Sequence, residues 1–560
     1  RFTPFCARMA PMPDIVLISP IALPLLGAGA LLLLGEGNRD RGRDPLPALI
    51  AGTVFVAAVL LPERVHTQPQ PLPWPPIQVL GGPPAILVDQ LSLVFVFALT
   101  LLAVAATVVG DTLSGRNWAM AILLWGGCLG IVISANPLML LLSWIVCELA
   151  LVGASLVTGK SRLLVSRLAA GGVAAAALVL LAMRADVHAP AGLQTVLASL
   201  SLRWIAVFFA IGALRMGLYP LHLASFGETD APLAPVVLGR LASAVAGLYL
   251  WFRVFTATHM LPSQIEYLVA VGGFAALMCA IAAWGARTRR SLFPWLVGFE
   301  LGVVVVTQGI AVPELSMFAA LEVLNLVLAG GVFGLSLYLA EGVEGRWARG
   351  WVRGLGFLAT ASLLGLPPTP GFVARWGLYR RAIEVGELTA VLPVVVASGL
   401  LVPALLAAHR ARRGRPVRHI SSHAVAGLTV LGLPLVLASA QPLFLTPILD
   451  VITNLRSYAI MAPLIRAAST RLSLEVVALI VVPALAGYSL DRVHDRWQTQ
   501  GRLDALWRFL SLEWLYDVMA STVLRAAIAV SILLTFLELG SILGWAVVVG
   551  LLLMLLVLRR

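Results

Sequence analysis

Lysine is nearly missing from this chain: Lys160 stands alone among 39 basic side chains in 560 residues. Charge of either sign is scarce at 12%, whereas 60% of residues are hydrophobic, a balance outside the range of soluble globular domains. The four cysteines, Cys6, Cys128, Cys147 and Cys279, are scattered without a CxxC pair or a His/Cys cluster. That spacing excludes the usual iron–sulfur and disulfide frameworks, so no cofactor is expected in this chain and any redox chemistry is expected in another. A net charge of +12 makes no case for nucleic acid, because the arginines gather in short connections between apolar runs, as in cytoplasmic loops of membrane proteins. The opening RFTPFCARMAPMP lacks an initiating methionine and reads as a leader or upstream translation before Met9 or Met12, with no signal peptide.

What the chain has in abundance is apolar runs of about 18–25 residues, each long enough to cross a hydrocarbon core. Such segments are helical by default, since lipid offers backbone groups no partner. Spans are expected near 14–35, 46–62, 85–109, 118–135, 137–157, 163–184, 203–221, 233–255, 264–284, 291–312, 315–340, 354–379, 386–408 and 422–441, with more near 470–490, 518–537 and 541–558. Arg39, Arg41 and Arg43 follow the first span, Lys160, Arg162 and Arg167 the fifth, Arg287, Arg289 and Arg290 the ninth, and Arg346 and Arg349 the eleventh; HRARRGRPVRH follows the thirteenth. Placing these loops in the cytoplasm puts the N-terminus outside, with Arg380 and Arg381 on the wrong side of that scheme. The run DRVHDRWQTQGRLDALWRFLSLEWLYD, with Trp497, Leu503, Leu506, Trp507 and Leu510 at near-helical spacing, predicts an amphipathic helix at the membrane surface or against a partner.

Two pairs of segments share wording. SWIVCELALVG carries Glu148 and PWLVGFELGVVV carries Glu300, in the fifth and tenth spans. ALRMGLYPLHLASF places Arg215 before Pro220, and LLGLPPTPGFVARWGLY places Arg375 after Pro367, Pro368, Pro370 and Gly371, in the seventh and twelfth. Both pairs lie five spans apart, which predicts two inverted five-helix repeats, and interrupted helices at matching positions point to an ion pathway. Charges inside such spans cost a few kcal/mol each and tend to pair, so Glu148 with Arg215 and Glu300 with Arg375 are the economical pairings. His222, beside the first break, is placed either to shuttle protons or to hold the broken helix, and Glu322 and Asn325 lie one turn apart, either as a shared polar face or packed against Arg375. Asp89 reads as a helix-end or subunit-contact residue.

These words resemble the antiporter-like membrane subunits of respiratory complex I (NADH:quinone oxidoreductase), related to the Mrp cation/proton antiporters and to membrane subunits of energy-converting hydrogenases. The likeness covers roughly residues 80–400 and includes ILVDQLSLVFVFALTLL, WIVCEL, LRMGLYPLHL, DAPLAPVVLGRLASAVAGLYLWFR, GLPPTPGFVARWGLY and ALEVLNLVLAGGVF. It implies an all-α polytopic membrane protein of about 14 core helices. On that scheme a leader occupies 1–13, N-terminal transmembrane helices 14–117, the two repeats 118–256 and 257–410, a last core helix 411–445 and a C-terminal extension 446–560. It further implies a proton-conducting subunit of a multisubunit assembly in a bacterial or archaeal-type inner membrane, with other membrane subunits as partners and sodium as the alternative ion.

By the resemblance, the proton path runs through Glu148, Arg215, His222, Glu300, Glu322 and Arg375. Arg215 and Arg375 stand where the family has lysines, and the eighth-span lysine has no match, Val245 falling there with Arg240 about one and a half turns away. Arginine keeps its proton in proteins, so these two residues can bias carboxylates but not relay. Two other readings stay open: a non-conducting structural subunit of such an assembly, and a membrane partner in a bicarbonate-uptake or Mrp-type system.

Overall fold

Caps written in the sequence start several of the apolar runs. Asp89 accepts from the Ser92 backbone N–H at 2.9 Å while the Ser92 hydroxyl accepts from the Asp89 N–H at 2.9 Å, a capping box ahead of Gln90. Thr288 and Ser291 form a second box, and Thr369 caps a helix whose first residue is Pro370.

The computed structural model describes residues 15–34, 45–64, 69–72, 74, 83–110, 115–158, 161–184, 193–224, 232–257, 262–286, 288–310, 313–339, 342, 345–410, 422–453, 457–459, 461 and 471–538. Within them run α1 (Ile15–Leu34), α2 (Leu46–Leu60), α3 (Gln90–Val109), α4 (Gly115–Val132), α5 (Pro137–Thr158), α6 (Ser161–Arg184), α7 (Leu193–Ser199) and α8 (Leu202–Met216). The chain continues through α9 (Leu233–Ala257), α10 (Pro262–Trp284), α11 (Arg289–Gly309), α12 (Pro313–Asn325), α13 (Gly331–Leu339), α14 (Arg346–Leu363), α15 (Pro370–Glu384), α16 (Leu388–Arg410) and α17 (Ser422–Ala440). Last come α18 (Thr446–Thr453), α19 (Arg471–Thr499), α20 (Arg502–Leu510) and α21 (Glu513–Glu538). One small antiparallel ribbon pairs Gln70–Pro71 with Ala85–Ile86.

Twelve helices among the described residues are long and apolar enough to cross a bilayer. The chain is a multi-pass, all-α membrane protein. Two expected spans differ from a simple crossing: 203–221 ends as a helix at Met216, and 354–379 is divided between α14 and α15. The expected span 315–340 is continuous but carries a π turn, Leu326–Gly330, directly after Asn325. The expected span at 541–558, the leader at 1–13 and the arginine-rich connections at 35–44 and 411–421 lie outside the described residues.

At the centre stands α9, whose residues from Leu233 to Val254 are all buried. It packs against α3, α4, α8, α11, α13 and the π turn.

The expected single amphipathic helix over residues 491–517 is instead three pieces. Its first third continues α19, its middle is α20, and its end opens α21. Left-handed residues at Gly501 (φ 69°) and Leu512 (φ 54°) turn the chain at both junctions. Only part of their apolar side faces the chain's own bundle: Leu503 and Leu510 are buried, whereas Trp497, Leu506, Phe509 and Trp514 are exposed. Arg410 at the end of α16 holds Asp491 in α19, His494 Nε2 lies 3.1 Å from the Trp284 carbonyl, and Gln498 donates to the Ala286 carbonyl at 3.2 Å. α21 then packs on α6.

Candidate functional site

Both interruptions are built in one way. α8 ends in a Schellman motif: Gly217, at φ 67°, donates to Leu214 O at 3.2 Å and Leu218 donates to Ala213 O at 3.0 Å. α14 ends likewise, with Gly365 at φ 68° donating to Ser362 O at 3.0 Å and Leu366 to Ala361 O at 2.8 Å. The letters match too, Gly-Leu-Tyr-Pro against Gly-Leu-Pro-Pro, and in each the bond preceding the final proline is cis. At either glycine an alanine would be held at positive φ, so Gly217→Ala and Gly365→Ala should each lower stability by about 1–2 kcal/mol, read as an earlier thermal transition of the detergent-purified protein.

A helix that stops inside a membrane leaves carbonyls without amide partners. An arginine from another helix reaches each set. Arg240 of α9 donates to Gly217 O at 3.1 Å, and Arg375 of α15 donates to Leu363 O at 3.0 Å.

In the last turn of α8, Arg215 meets Glu148 of α5, Nη2 to Oε1 2.5 Å, with side chains 2% and 18% exposed. Trp144, one turn before Glu148, lies under the guanidinium at 3.8 Å, a cation–π contact that seats the arginine. The pair is charge-balanced, one anion to one cation.

The second cluster is not. Arg375 spends its guanidinium on four acceptors: Glu300 Oε1 at 3.0 Å, Glu322 Oε1 at 3.0 Å, Ser398 Oγ at 2.9 Å and Leu363 O. All three charged side chains are at most 1% exposed. Asn325 joins them, donating to Glu322 Oε2 and to Ser362 O, both at 3.4 Å, and accepting from the Ser362 hydroxyl at 2.6 Å. Two carboxylates therefore share one cation away from water. Like charges so placed cannot both ionise cheaply, and one proton between them restores the balance. Glu300 Oε2 takes no hydrogen-bond partner among the described residues, which leaves an oxygen open for it.

The sequence-expected residues thus fall into two groups, Glu148 with Arg215, and Glu300 and Glu322 with Arg375. His222 joins neither carboxylate group. Its Nε2 lies 3.2 Å from the Ser511 carbonyl at the end of α20, its ring stacks on Tyr219 at 5.2 Å, and Trp295 of α11 lies 4.7 Å away. Tyr516 of α21 donates to the Pro220 carbonyl at 3.2 Å, so the C-terminal extension grips the first break directly. Arg240, given no role from the sequence, is 1% exposed, and its Nε and Nη1 take no hydrogen-bond partner among the described residues.

Sequence reasoning missed three features. Arg253, at the end of α9, binds Asp89 through Nη1–Oδ2 at 2.5 Å and Nη2–Oδ1 at 2.6 Å, and its Nε donates to Tyr249 at 2.7 Å, so Asp89 is a cap clamped to the central helix. Ser398 supplies the hydroxyl on Arg375. The cysteines expected to be scattered include a close pair, Cys128 Sγ and Cys147 Sγ, 4.0 Å apart. Tyr249 one turn before Arg253 was the available signal for the first.

No protein-family model matches the chain, and no curated protein matches it in sequence. Solved structures do. A chain of the membrane-bound sulfane sulfur reductase, an archaeal respiratory membrane complex, aligns with 97% of this chain and all of its own length at 16% identity and a TM-score of 0.72. The chain has that fold. A chain of the Mrp complex from Dietzia sp. DQ12-45-1b covers 81% of this chain and 100% of itself at 16% identity and a TM-score of 0.63. One of respiratory complex I from Thermus thermophilus with bound NADH covers 80% and 99% at 20% identity and 0.62. At the level of fold, the resemblance read from the two breaks and the WIVCEL segment is borne out.

Proposed function

We propose that this chain is a proton-conducting, antiporter-like subunit of a multisubunit assembly in a bacterial or archaeal-type inner membrane, working beside other membrane subunits. The observation that carries it is the Arg375 cluster, where two buried carboxylates share one guanidinium and Glu300 keeps an open oxygen. Such a cluster holds a proton by charge balance and can exchange it without creating a bare charge in the membrane. Glu148 with Arg215 serves as an electrostatic partner site. The matched breaks, each with a left-handed glycine and a guarding arginine, support reading residues 118–256 and 257–410 as two inverted repeats. In this scheme both arginines stay charged while the carboxylates and water carry protons. A structural subunit is the second reading, favoured by the balanced Glu148–Arg215 pair.

Proteoliposomes holding the purified assembly, driven by its own reaction or by an imposed pH gradient, separate the two. Glu300→Gln should lower proton flux by at least about tenfold with assembly intact, since it removes a positioned proton acceptor. Unchanged flux together with a lowered melting temperature would establish the structural reading. Repeating the assay with and without sodium identifies the ion.

A further inference from the structure

The arginines at the two breaks stand in opposite surroundings. Arg375 meets Glu300, Glu322 and the Ser398 hydroxyl besides the Leu363 carbonyl. Arg240 makes one hydrogen bond, Nη2 to Gly217 O at 3.1 Å, and its Nε and Nη1 are buried without a hydrogen-bond partner among the described residues. A buried donor left unmet is costly, and in folded proteins such groups nearly always have a partner.

The charge poses the larger problem. Arg240 is 1% exposed on a helix buried from Leu233 to Val254, so its guanidinium does not snorkel to a wet interface. Nor does it shed its proton, since arginine stays charged in proteins. The carboxylates that reach into the bundle are engaged elsewhere: Asp89 by Arg253, Glu148 by Arg215, Glu300 and Glu322 by Arg375. The first break thus sets one carboxylate against two cations, Arg215 and Arg240, and the second sets two carboxylates against one. A proton balances the second. At the first the balancing charge must be negative, and water, which would fill the open donors, carries none.

We infer that Arg240 binds a small inorganic anion, of which chloride is the simplest, in the interior of the bundle beside the break after α8. Its Nε–H and Nη1–H are the donors for it, in charge-assisted hydrogen bonds of the kind a guanidinium makes to anions. Nη2 stays on Gly217 O, so one residue holds both the ion and the end of α8. The packing of α9 against α3, α4, α8, α11, α13 and the π turn suits an ion of few atoms and not an organic anion. This site goes beyond proton conduction and is tested without a flux assay, so either can fail alone.

The test uses the purified assembly in gluconate buffer with chloride added, as native protein, Arg240→Gln and Arg240→Lys. Binding of radioactive chloride and the thermal transition are both followed as chloride rises. The site predicts saturable binding of a single chloride per chain that Arg240→Gln removes, with a transition of the native protein that climbs as the site fills. Arg240→Gln keeps an amide donor and loses the charge, so its chloride affinity should fall at least about tenfold, the scale of one charged hydrogen bond. Arg240→Lys keeps the charge and should bind chloride more tightly than Arg240→Gln. A transition of the native protein that is the same in chloride and gluconate would overturn the site, and so would equal chloride binding in native and Arg240→Gln proteins. Should Arg240→Gln fail to assemble, a map of the native protein prepared in bromide decides: bromide within hydrogen-bond reach of Arg240 supports the site, and no bromide there overturns it.

Discussion

Replacing Arg375 with glutamine should cost this protein about 3–5 kcal/mol, the toll of leaving buried charge without its partner. The residue holds Glu300, Glu322, Ser398 and the Leu363 carbonyl at once, all in a region closed to water. Without it two carboxylates face each other and the end of α14 loses its donor. The result to expect is little assembled protein in the membrane and a strongly lowered thermal transition for what remains. Adding Glu300→Gln and Glu322→Gln to the same chain should recover much of the loss, because the anions leave with the cation. If the triple variant is no more stable than Arg375→Gln alone, charge compensation is not what the cluster contributes. Arg375→Lys keeps the charge, but one ammonium cannot span four acceptors, so its stability should fall between the two.

Gly371→Ala should do comparable damage without touching a charge. A Cβ there would lie 1.9 Å from the Ser362 carbonyl oxygen and 2.8 Å from Asn325 Nδ2, and the first of these is backbone. Neither α14 nor α15 can yield without opening the second break, where Gly371 N also donates to Ser362 Oγ at 3.3 Å. Overpacking of this kind costs typically about 1–3 kcal/mol and more against rigid backbone. The loss should appear as a lowered thermal transition and as flux reduced along with it, since the shift separates Leu363 O from Arg375. A variant as stable and active as the native protein would show that the two helix ends are not held this closely.

How much of this was legible in the sequence differs residue by residue. Glu148, Arg215, Glu300 and Arg375 stood out because a charge in an apolar run is conspicuous, and the breaks because glycine and proline interrupt the helical pattern. Glu322 and Asn325 were legible as one face with Arg375 as a packing partner, and Glu322 does meet Arg375, 53 residues away. Helical spacing says which residues share a side of a helix and nothing about which helix that side meets. For that reason Arg253 with Asp89, 164 residues apart, and the Cys128–Cys147 contact escaped notice. In the C-terminal run the apolar period was plain, yet Leu512 gives no hint of a left-handed turn, because leucine seldom adopts one.

The contact between His222 and Ser511 has a consequence for biogenesis. The two residues are 289 positions apart, so a ribosome adding roughly 5–20 residues per second emits the second on the order of 15–60 s after the first. For that interval the break after α8 sits in the bilayer with its grip from Ser511 and Tyr516 not yet made. The first half of the molecule is therefore completed from its far end, and a chaperone or insertase that shelters unfinished membrane segments has this stretch to hold.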